Sequence, residues 1–545
     1  MDLKNLATRI PGNPVGRASD SAYYLKVLVD AGVLSPVRPD KLARMLATYV
    51  RWGNNPATAS SIAAIRHPND VFVEDELGEL TFAEVESRAN SLARALQERG
   101  VEEGDGVAIM ARNHRGLVDA TLACAKLGAS ALFLNTMFSG PQLAEVMERE
   151  GPTALIYDQE FSELLEKVGK DVKRFVCWHD DDSPDDERIG DLIDDTGDDP
   201  LPSPSEDPRF VILTSGTTGT PKGAQRKPPS GLSPMAALLG SIPYRAGETM
   251  MIGAPLFHSW GFTHLVIATV LGNRMVLKRK FSPEGTLKAV EESEAQVLAV
   301  VPVMLQRIFQ LDDEVLDKYS LDSLRITALS GSALPGELAT KWMDRYGDTI
   351  YNLYGSTEVA YATIATPEDL REAPGTAGKP PHGTVVRIVD EDCNDVEPGD
   401  TGRIFVGNEM AFEGYTGGGG KETLGDLLSS GDVGHFDENG RLFIDGRDDE
   451  MIVSGGENVF PREVEDLLAD HDAVKEVAII GVDDDEYGQR LKAFVVLSDG
   501  KDLSEDEAKK HVKSNLAGYK VPREVEFLDE LPRNATGKVL KRELS

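Results

Sequence analysis

Ten consecutive residues, Thr214-Ser215-Gly216-Thr217-Thr218-Gly219-Thr220-Pro221-Lys222-Gly223, combine four threonines, three glycines, a serine, a proline and a lysine, with no acid. Glycine and proline discourage helix and clean strand pairing, so the stretch offers backbone N–H groups, hydroxyls and one ammonium to a ligand. A polyphosphate suits that donor set, because its charge is spread over many oxygens. The order is not that of a P-loop, where lysine follows glycine and precedes Ser or Thr. The glycines at 417–420 do precede Lys421, but Glu422 stands where a hydroxyl is required. Taken singly, Asp432 is an acid in a Gly-Asp turn and Lys538 a solvated surface charge.

The loop needs a rigid support, and the apolar run Phe210-Val211-Ile212-Leu213 before it reads as a buried strand. Upstream, Thr81 can cap a helix whose Phe82, Val85, Ala89, Leu92 and Leu96 recur at helical spacing, closed by Gly100. The short apolar runs 107–110, 131–134 and 154–157 alternate with helical stretches, one of them near 116–127. That alternation is the mark of a parallel sheet covered on both faces, so the class is α/β. It resumes through 266–277, 297–303 and 326–329. Residues 179–208, rich in Asp, Pro and Ser, read as a solvated connection. Residues 43–50 read as a packed surface helix, with contact to a lipid-like substrate as the alternative.

The pattern changes near Asp445–Glu450. A helix near 462–469, strands at 477–480 and 493–497, a helix near 505–516 and a strand at 525–528 suffice for a small, mobile α+β domain. The expected division is a large multi-subdomain N-terminal domain with parallel-rich sheets over residues 1–446 and a C-terminal domain over 447–545, hinged near 447–450.

A length of 545 residues favours two or more domains. With 41% hydrophobic and 27% charged residues the composition is that of a soluble globular protein. A formal charge of −35 argues against nucleic acid, whose binding draws largely on Lys and Arg. The start MDLKNLATRI lacks a signal-peptide core, and no run approaches the ~18 apolar residues of a membrane span. Cys124, Cys177 and Cys393 are far apart, as expected of reduced thiols in a cytoplasmic protein. Peripheral membrane contact, and the choice between monomer and homodimer, stay open.

Six motifs in order carry a resemblance: Thr214–Gly223, Asn352-Leu353-Tyr354-Gly355-Ser356-Thr357-Glu358, Ser430-Gly431-Asp432, Gly446-Arg447, Ser454-Gly455-Gly456-Glu457-Asn458 and Pro532-Arg533-Asn534-Ala535-Thr536-Gly537-Lys538. From about residue 70 onward the chain resembles the adenylate-forming enzymes, which comprise acyl-CoA synthetases, adenylation domains of peptide synthetases and luciferases. The resemblance implies that Thr214 to Thr220 and Lys222, with Thr217 and Lys222 taking part in catalysis, wrap the phosphates of ATP. It implies that Tyr354 and Gly355 wall the adenine and that Thr357 meets the α-phosphate. Glu358 would hold Mg²⁺, a hard ion that prefers oxygen ligands. Asp432 and Arg447 would bind the ribose, and Lys538 would be the catalytic lysine.

By the same resemblance His258 is a catalytic residue, the ring beside the substrate carboxylate that gates entry of coenzyme A, and Trp260, Phe262, Val303, Gly331, Ser332 and Ala333 fall at the acyl pocket. No acid occurs between Pro255 and Phe262, which argues against an amino-acid substrate. Ser454, Gly455 and Gly456 would line the tunnel for coenzyme A. Asp449 matches the hinge by spacing, but the segment from Arg447 to Ser454 is one residue short, which leaves Asp448 as a substitute. The implied activity is that of a free-standing carboxylic acid–CoA ligase using ATP, Mg²⁺ and coenzyme A, with a medium- or long-chain fatty acid as the expected substrate. The alternatives are an aryl or short-chain acid, delivery of a fatty acyl-adenylate to a carrier protein, and a non-catalytic nucleotide or acyl sensor.

Overall fold

The computed structural model describes residues 14–53, 55–169, 171–180, 186–205, 208–214, 222–226, 231, 233–410, 412–416, 418–450, 452–454, 457–484, 488–534 and 537–544. Two eight-stranded sheets form the bulk of the N-terminal part. In one, Phe210–Thr214, Ser130–Phe133, Gly106–Met110, Ala154–Asp158, Lys173–Trp178 and Glu187–Arg188 run parallel in that spatial order. In the other, Ile350–Tyr354, Ile326–Leu329, Val297–Val300, Thr249–Ile252, Arg274–Leu277 and Val71–Asp75 run parallel. Antiparallel strands finish the edges, namely Thr363–Ala365 and Gly78–Thr81 here and Lys222–Arg226 and Phe412–Tyr415 in the first sheet. The α/β class holds.

The helices cover these sheets as their patterns require. Phe82–Glu98 starts in a reciprocal capping box between Thr81 and Glu84 and buries Val85, Ala89, Leu92 and Leu96 completely or nearly so. It packs on Arg115–Leu127, a helix buried from Gly116 to its end. One expectation is corrected. The acidic connection after residue 179 contains a short helix, Ile189–Asp195, whose Ile189, Leu192 and Ile193 dock against Phe82–Glu98. Three apolar residues at helical spacing suffice to anchor it within an otherwise solvated stretch.

A third sheet, antiparallel and absent from the sequence reading, is built from Val385–Val389, Gly402–Gly407, Leu427–Phe436, Thr423–Leu424 and Leu442–Arg447. After the 3₁₀ turn Asp448–Glu450 comes the fourth sheet. A hairpin of 11- and 10-residue strands, Val474–Asp484 and Gly488–Leu497, is flanked by the parallel strand Glu524–Phe527 and backed by helices Pro461–Ala469 and Glu505–Asn515. It has its own apolar core around Ile452, Val464, Ile479, Leu491 and Val512.

Candidate active site

Phe210–Thr214 and Lys222–Arg226 pair antiparallel, with Thr214 opposite Lys222 and Leu213 opposite Gly223. Residues 215–221 therefore join the two strands of a hairpin, and Lys222 and Gly223 already belong to the second strand, contrary to the expectation that the whole stretch avoids pairing. Ser215, Gly216, Thr217, Thr218, Gly219, Thr220, Gly455 and Gly456 lie outside the described residues, as do the side chains of Thr214, Lys222, Asp449 and Ser454.

The glycine that closes the motif is required by its neighbours. A Cβ on Gly223 would sit 2.5 Å from Val211 Cγ1 and 2.7 Å from Thr416 Oγ1. Instead the Gly223 N–H donates to Thr416 Oγ1 at 3.0 Å, and the Thr416 hydroxyl donates to Glu150 Oε1 at 2.7 Å. The hairpin is thereby tied to the end of the strand Phe412–Tyr415.

That strand also ends in Tyr415, whose hydroxyl donates to Glu358 Oε1 at 2.7 Å. Ser356 Oγ donates to the other oxygen of Glu358 at 2.8 Å. Burial alone would raise the Glu358 carboxyl, but the Tyr415 and Ser356 hydroxyls and the charge of Lys421 outweigh it and hold it below the usual range. An ionised carboxylate whose partners here are neutral hydroxyls keeps its charge for a cation, so Glu358 fits a hard divalent ion. Beside it, Thr357 Oγ1 and Ser259 Oγ are 3.3 Å apart, which brings this turn against the segment that contains His258.

Asp432 and Arg447 sit directly opposite on adjacent strands of the third sheet. Tyr354 donates its hydroxyl to Asp432 Oδ2 at 2.5 Å, and Arg447 Nη1 donates to Oδ1 at 3.2 Å. Burial pushes the Asp432 carboxyl up against the opposing pull of Arg447, Tyr354, Lys538 and Lys421. Lys538 is thus close enough for its charge to act on an acid more than a hundred residues earlier. Its turn is closed by the Lys538 N–H donating to Asn534 Oδ1 at 2.9 Å, and Gly537 holds the left-handed φ of +79°. A Cβ at Gly537 would lie 2.1 Å from Val303 Cγ1, so only glycine lets the C-terminal turn sit on Val303. At the expected hinge, Asp448 pairs with Arg403 at 3.3 Å.

The acyl-side residues divide. His258 directs Nε2 into a buried position with no hydrogen-bond partner among the described residues, and burial pushes its imidazole down to about 4. Phe262 meets Phe133 and Phe210 at centroid distances of 5.3 and 5.1 Å. Trp260 departs from the pocket reading. Its indole N–H donates to the carbonyl of Val300 at 3.1 Å and its ring stands edge-on to His264, so it anchors the helix Ser259–Leu271 in the core. Val303 and Met304 are likewise buried, in the first turn of the helix Pro302–Ile308. Gly331 and Ala333 are exposed and Ser332 half-buried, at the end of the strand Ile326–Leu329.

Sequence reasoning missed several contributors. Tyr415, Ser356, Thr416 and Lys421 are unremarkable residue types; only the glycine run drew attention to Lys421. Asn113 is another. Its Nδ2 donates to the carbonyls of Ala254 (2.9 Å) and Ile252 (3.3 Å), and its Oδ1 accepts the Leu256 N–H (2.8 Å), which clamps the segment leading to His258 onto the other large sheet. Behind it, His114, Asp158 and Cys177 cluster closely enough to suggest metal ligands. Yet His114 Nδ1 accepts the Gly116 N–H at 3.0 Å, so Nε2 carries the proton given to Asp158 at 2.7 Å. Both ring nitrogens are engaged, and the cluster caps a helix.

Comparison with known proteins agrees with this geometry. Residues 61–416 match the family described as AMP-binding enzyme, and 463–538 match the AMP-binding enzyme C-terminal domain. The chain is 33% identical over 472 residues to a feruloyl-CoA synthase of Amycolatopsis sp, covering 85% of this chain and 93% of the relative. It is 32% identical over 489 residues to an indoleacetate–CoA ligase of Aromatoleum aromaticum, covering 85% and 92%. Among solved structures it resembles the o-succinylbenzoate CoA synthetase of Bacillus subtilis in complex with its acyl-adenylate intermediate. That match has a TM-score of 0.78 and 28% identity, and covers 89% of this chain and 97% of that one.

Proposed function

Because the chain belongs to the AMP-binding enzyme family, we propose that it is an AMP-forming acid–thiol ligase that activates a ring-bearing carboxylic acid and transfers it to coenzyme A. The observation that carries the reading is the seat of the Lys538 turn. It rests on Val303 through Gly537 and places its ammonium within electrostatic reach of Asp432. In this reading Asp432 and Arg447 take the ribose hydroxyls, Tyr354 and Gly355 border the base, and the connection 215–221 with the flanking Thr214 and Lys222 holds the polyphosphate. Lys538 steadies the charge that develops as the carboxylate attacks the α-phosphorus, forming acyl-AMP and releasing pyrophosphate. Glu358, kept ionised by Tyr415 and Ser356, would hold Mg²⁺, which when bound neutralises phosphate charge.

The small domain then turns about a hinge at 447–450, where the boundary between residues 1–446 and 447–545 falls. The turn brings Ser454, Gly455 and Gly456 to the pantetheine arm. The thiolate attacks the acyl carbon, and AMP leaves.

The relatives favour a ring-bearing acid over the fatty acid expected from the sequence, since feruloyl, indoleacetate and succinylbenzoate groups all carry rings. The aliphatic reading leaned on Trp260, Phe262 and the apolar 301–304; Trp260 and Val301–Met304 are buried in the core, and Phe262 packs against Phe210 and Phe133. The test is pyrophosphate release over a panel of aryl, arylalkyl and aliphatic acids, with and without coenzyme A, with products identified by mass. We expect acyl-CoA from an aromatic acid. Strong activity confined to long-chain fatty acids would overturn the substrate class, and acyl-AMP that never becomes acyl-CoA would overturn the acceptor.

A further inference from the structure

The helix Pro39–Trp52 precedes residue 61, where the family match begins. Its inner side packs on the helix Pro56–Arg66 and ends in the buried Trp52. Its outer side is apolar: Leu42, Leu46, Tyr49 and Val50 are 46%, 58%, 55% and 85% exposed. Their spacing of i, i+4, i+7 and i+8 makes one continuous stripe. The helix Phe82–Glu98 carries a similar stripe and buries it, whereas here four members of the stripe face outward.

Charge identifies what the stripe meets. Arg38, Lys41, Arg44 and Arg51 against Asp40 give residues 38–52 an excess of positive charge on a chain of net −35. Lys41 and Arg51 donate to the carbonyls of Arg66 (2.6 Å) and Leu201 (2.7 Å), which leaves their charge unneutralised, whereas Arg38 pairs with Asp40 at 3.0 Å. A second copy docked through the same face would set these cations against one another. An outward apolar stripe on a helix of net positive charge is the composition of a helix that lies in a lipid interface, and its cations favour negative lipid. We propose that the helix Pro39–Trp52 seats the protein on an anionic lipid surface.

The placement bears on the acyl side. Trp52 packs with Ala57 and Ala125 against Phe210, and Phe210 meets Phe262 edge-on. The helix is thus linked by packing, through Trp52 and Phe210, to Phe262. Membrane seating itself does not depend on the ligase reading.

The test is flotation of the full chain with vesicles of phosphatidylcholine alone or mixed with phosphatidylglycerol. Mass against concentration is measured in parallel by light scattering. Binding to the mixed vesicles is expected, falling roughly tenfold or more in the double variant Leu46→Asp/Val50→Asp. Arg44→Glu and added salt should weaken it roughly fivefold. Pyrophosphate release with a water-soluble acid should be unchanged in these variants, which shows that they fold. Absence of flotation, or equal flotation of wild type and double variant, overturns the proposal. So does a concentration-dependent dimer that the double variant loses while vesicles are ignored, which would assign the stripe to a second copy.

Discussion

On the nucleotide side of the site, Glu358 is held by two hydroxyls and Asp432 by a hydroxyl and a guanidinium. On the acyl side, His258 presents a buried Nε2 to which no described residue donates or accepts. The first arrangement costs little at the moment of reaction, because its dipoles and charges are already aimed. The second leaves a polar atom wanting a partner, a cost of about 1–3 kcal/mol that a substrate carboxylate or ordered water can relieve. The contrast teaches that the charged half is built to receive one invariant ligand. In the proposed reading, the acyl half withholds one interaction until the acid arrives.

Among changes that bear on this contrast, removing the ionised carboxylate should have the largest effect. Glu358→Gln is expected to slow adenylation roughly 10²-fold in ATP–pyrophosphate exchange; an unchanged rate would move the cation site elsewhere. His258→Ala should lower kcat/KM for the acid about tenfold while leaving the melting temperature unaltered, since it deletes an unsatisfied group. A marked loss of stability would show that His258 has a structural partner and would break the comparison.

Tyr415→Phe removes one hydroxyl from Glu358. Adenylation should fall only a few-fold, with a rise in the Mg²⁺ concentration needed for half-maximal rate. No shift in that requirement would separate Tyr415 from the cation.

The smallest effect is on pH dependence. His264 is fully buried, with Nε2 facing the Tyr244 hydroxyl at 2.9 Å and Nδ1 facing the Trp260 carbonyl at 2.9 Å, and burial pushes it down to about 4. Between about 4 and the ordinary 6.5 the unfolded chain binds the proton that the folded chain refuses. The contribution of neutral His264 is therefore complete above about 6.5 and lost as pH falls through that window. The melting temperature should decline from pH 6.5 to 4, and less so in His264→Gln. His258, also near 4, should add no inflection to activity between pH 5.5 and 8.

Much of this was legible in the chain because two signals are local. Continuous apolar runs such as 107–110 and 154–157 declare buried parallel strands, and the order of motifs from Thr214 to Lys538 declares the site. The third sheet was not legible. Its central strand Leu427–Phe436 reads Leu-Leu-Ser-Ser-Gly-Asp-Val-Gly-His-Phe and carries a register shift between Val433 and Gly434. Small and polar residues with low strand propensity are held there by pairing on both sides, which leaves Asp432 facing the site. Trp260 is ambiguous in sequence because an indole suits a pocket wall and a core anchor equally; its bond to the Val300 carbonyl shows only in the fold. Asn113 gave no signal, since three hydrogen bonds to a segment some 140 residues away have no trace in local pattern.

The central claim is that Lys538, on the C-terminal turn, completes the adenylating site and takes no part in thioester formation. Lys538→Ala should be assayed separately for ATP–pyrophosphate exchange with the preferred acid and for conversion of supplied acyl-AMP to acyl-CoA. The account predicts a fall of roughly 10²–10³ in the first, with the second within a few-fold of wild type. Equal loss in both, or an exchange rate that does not change, would contradict it.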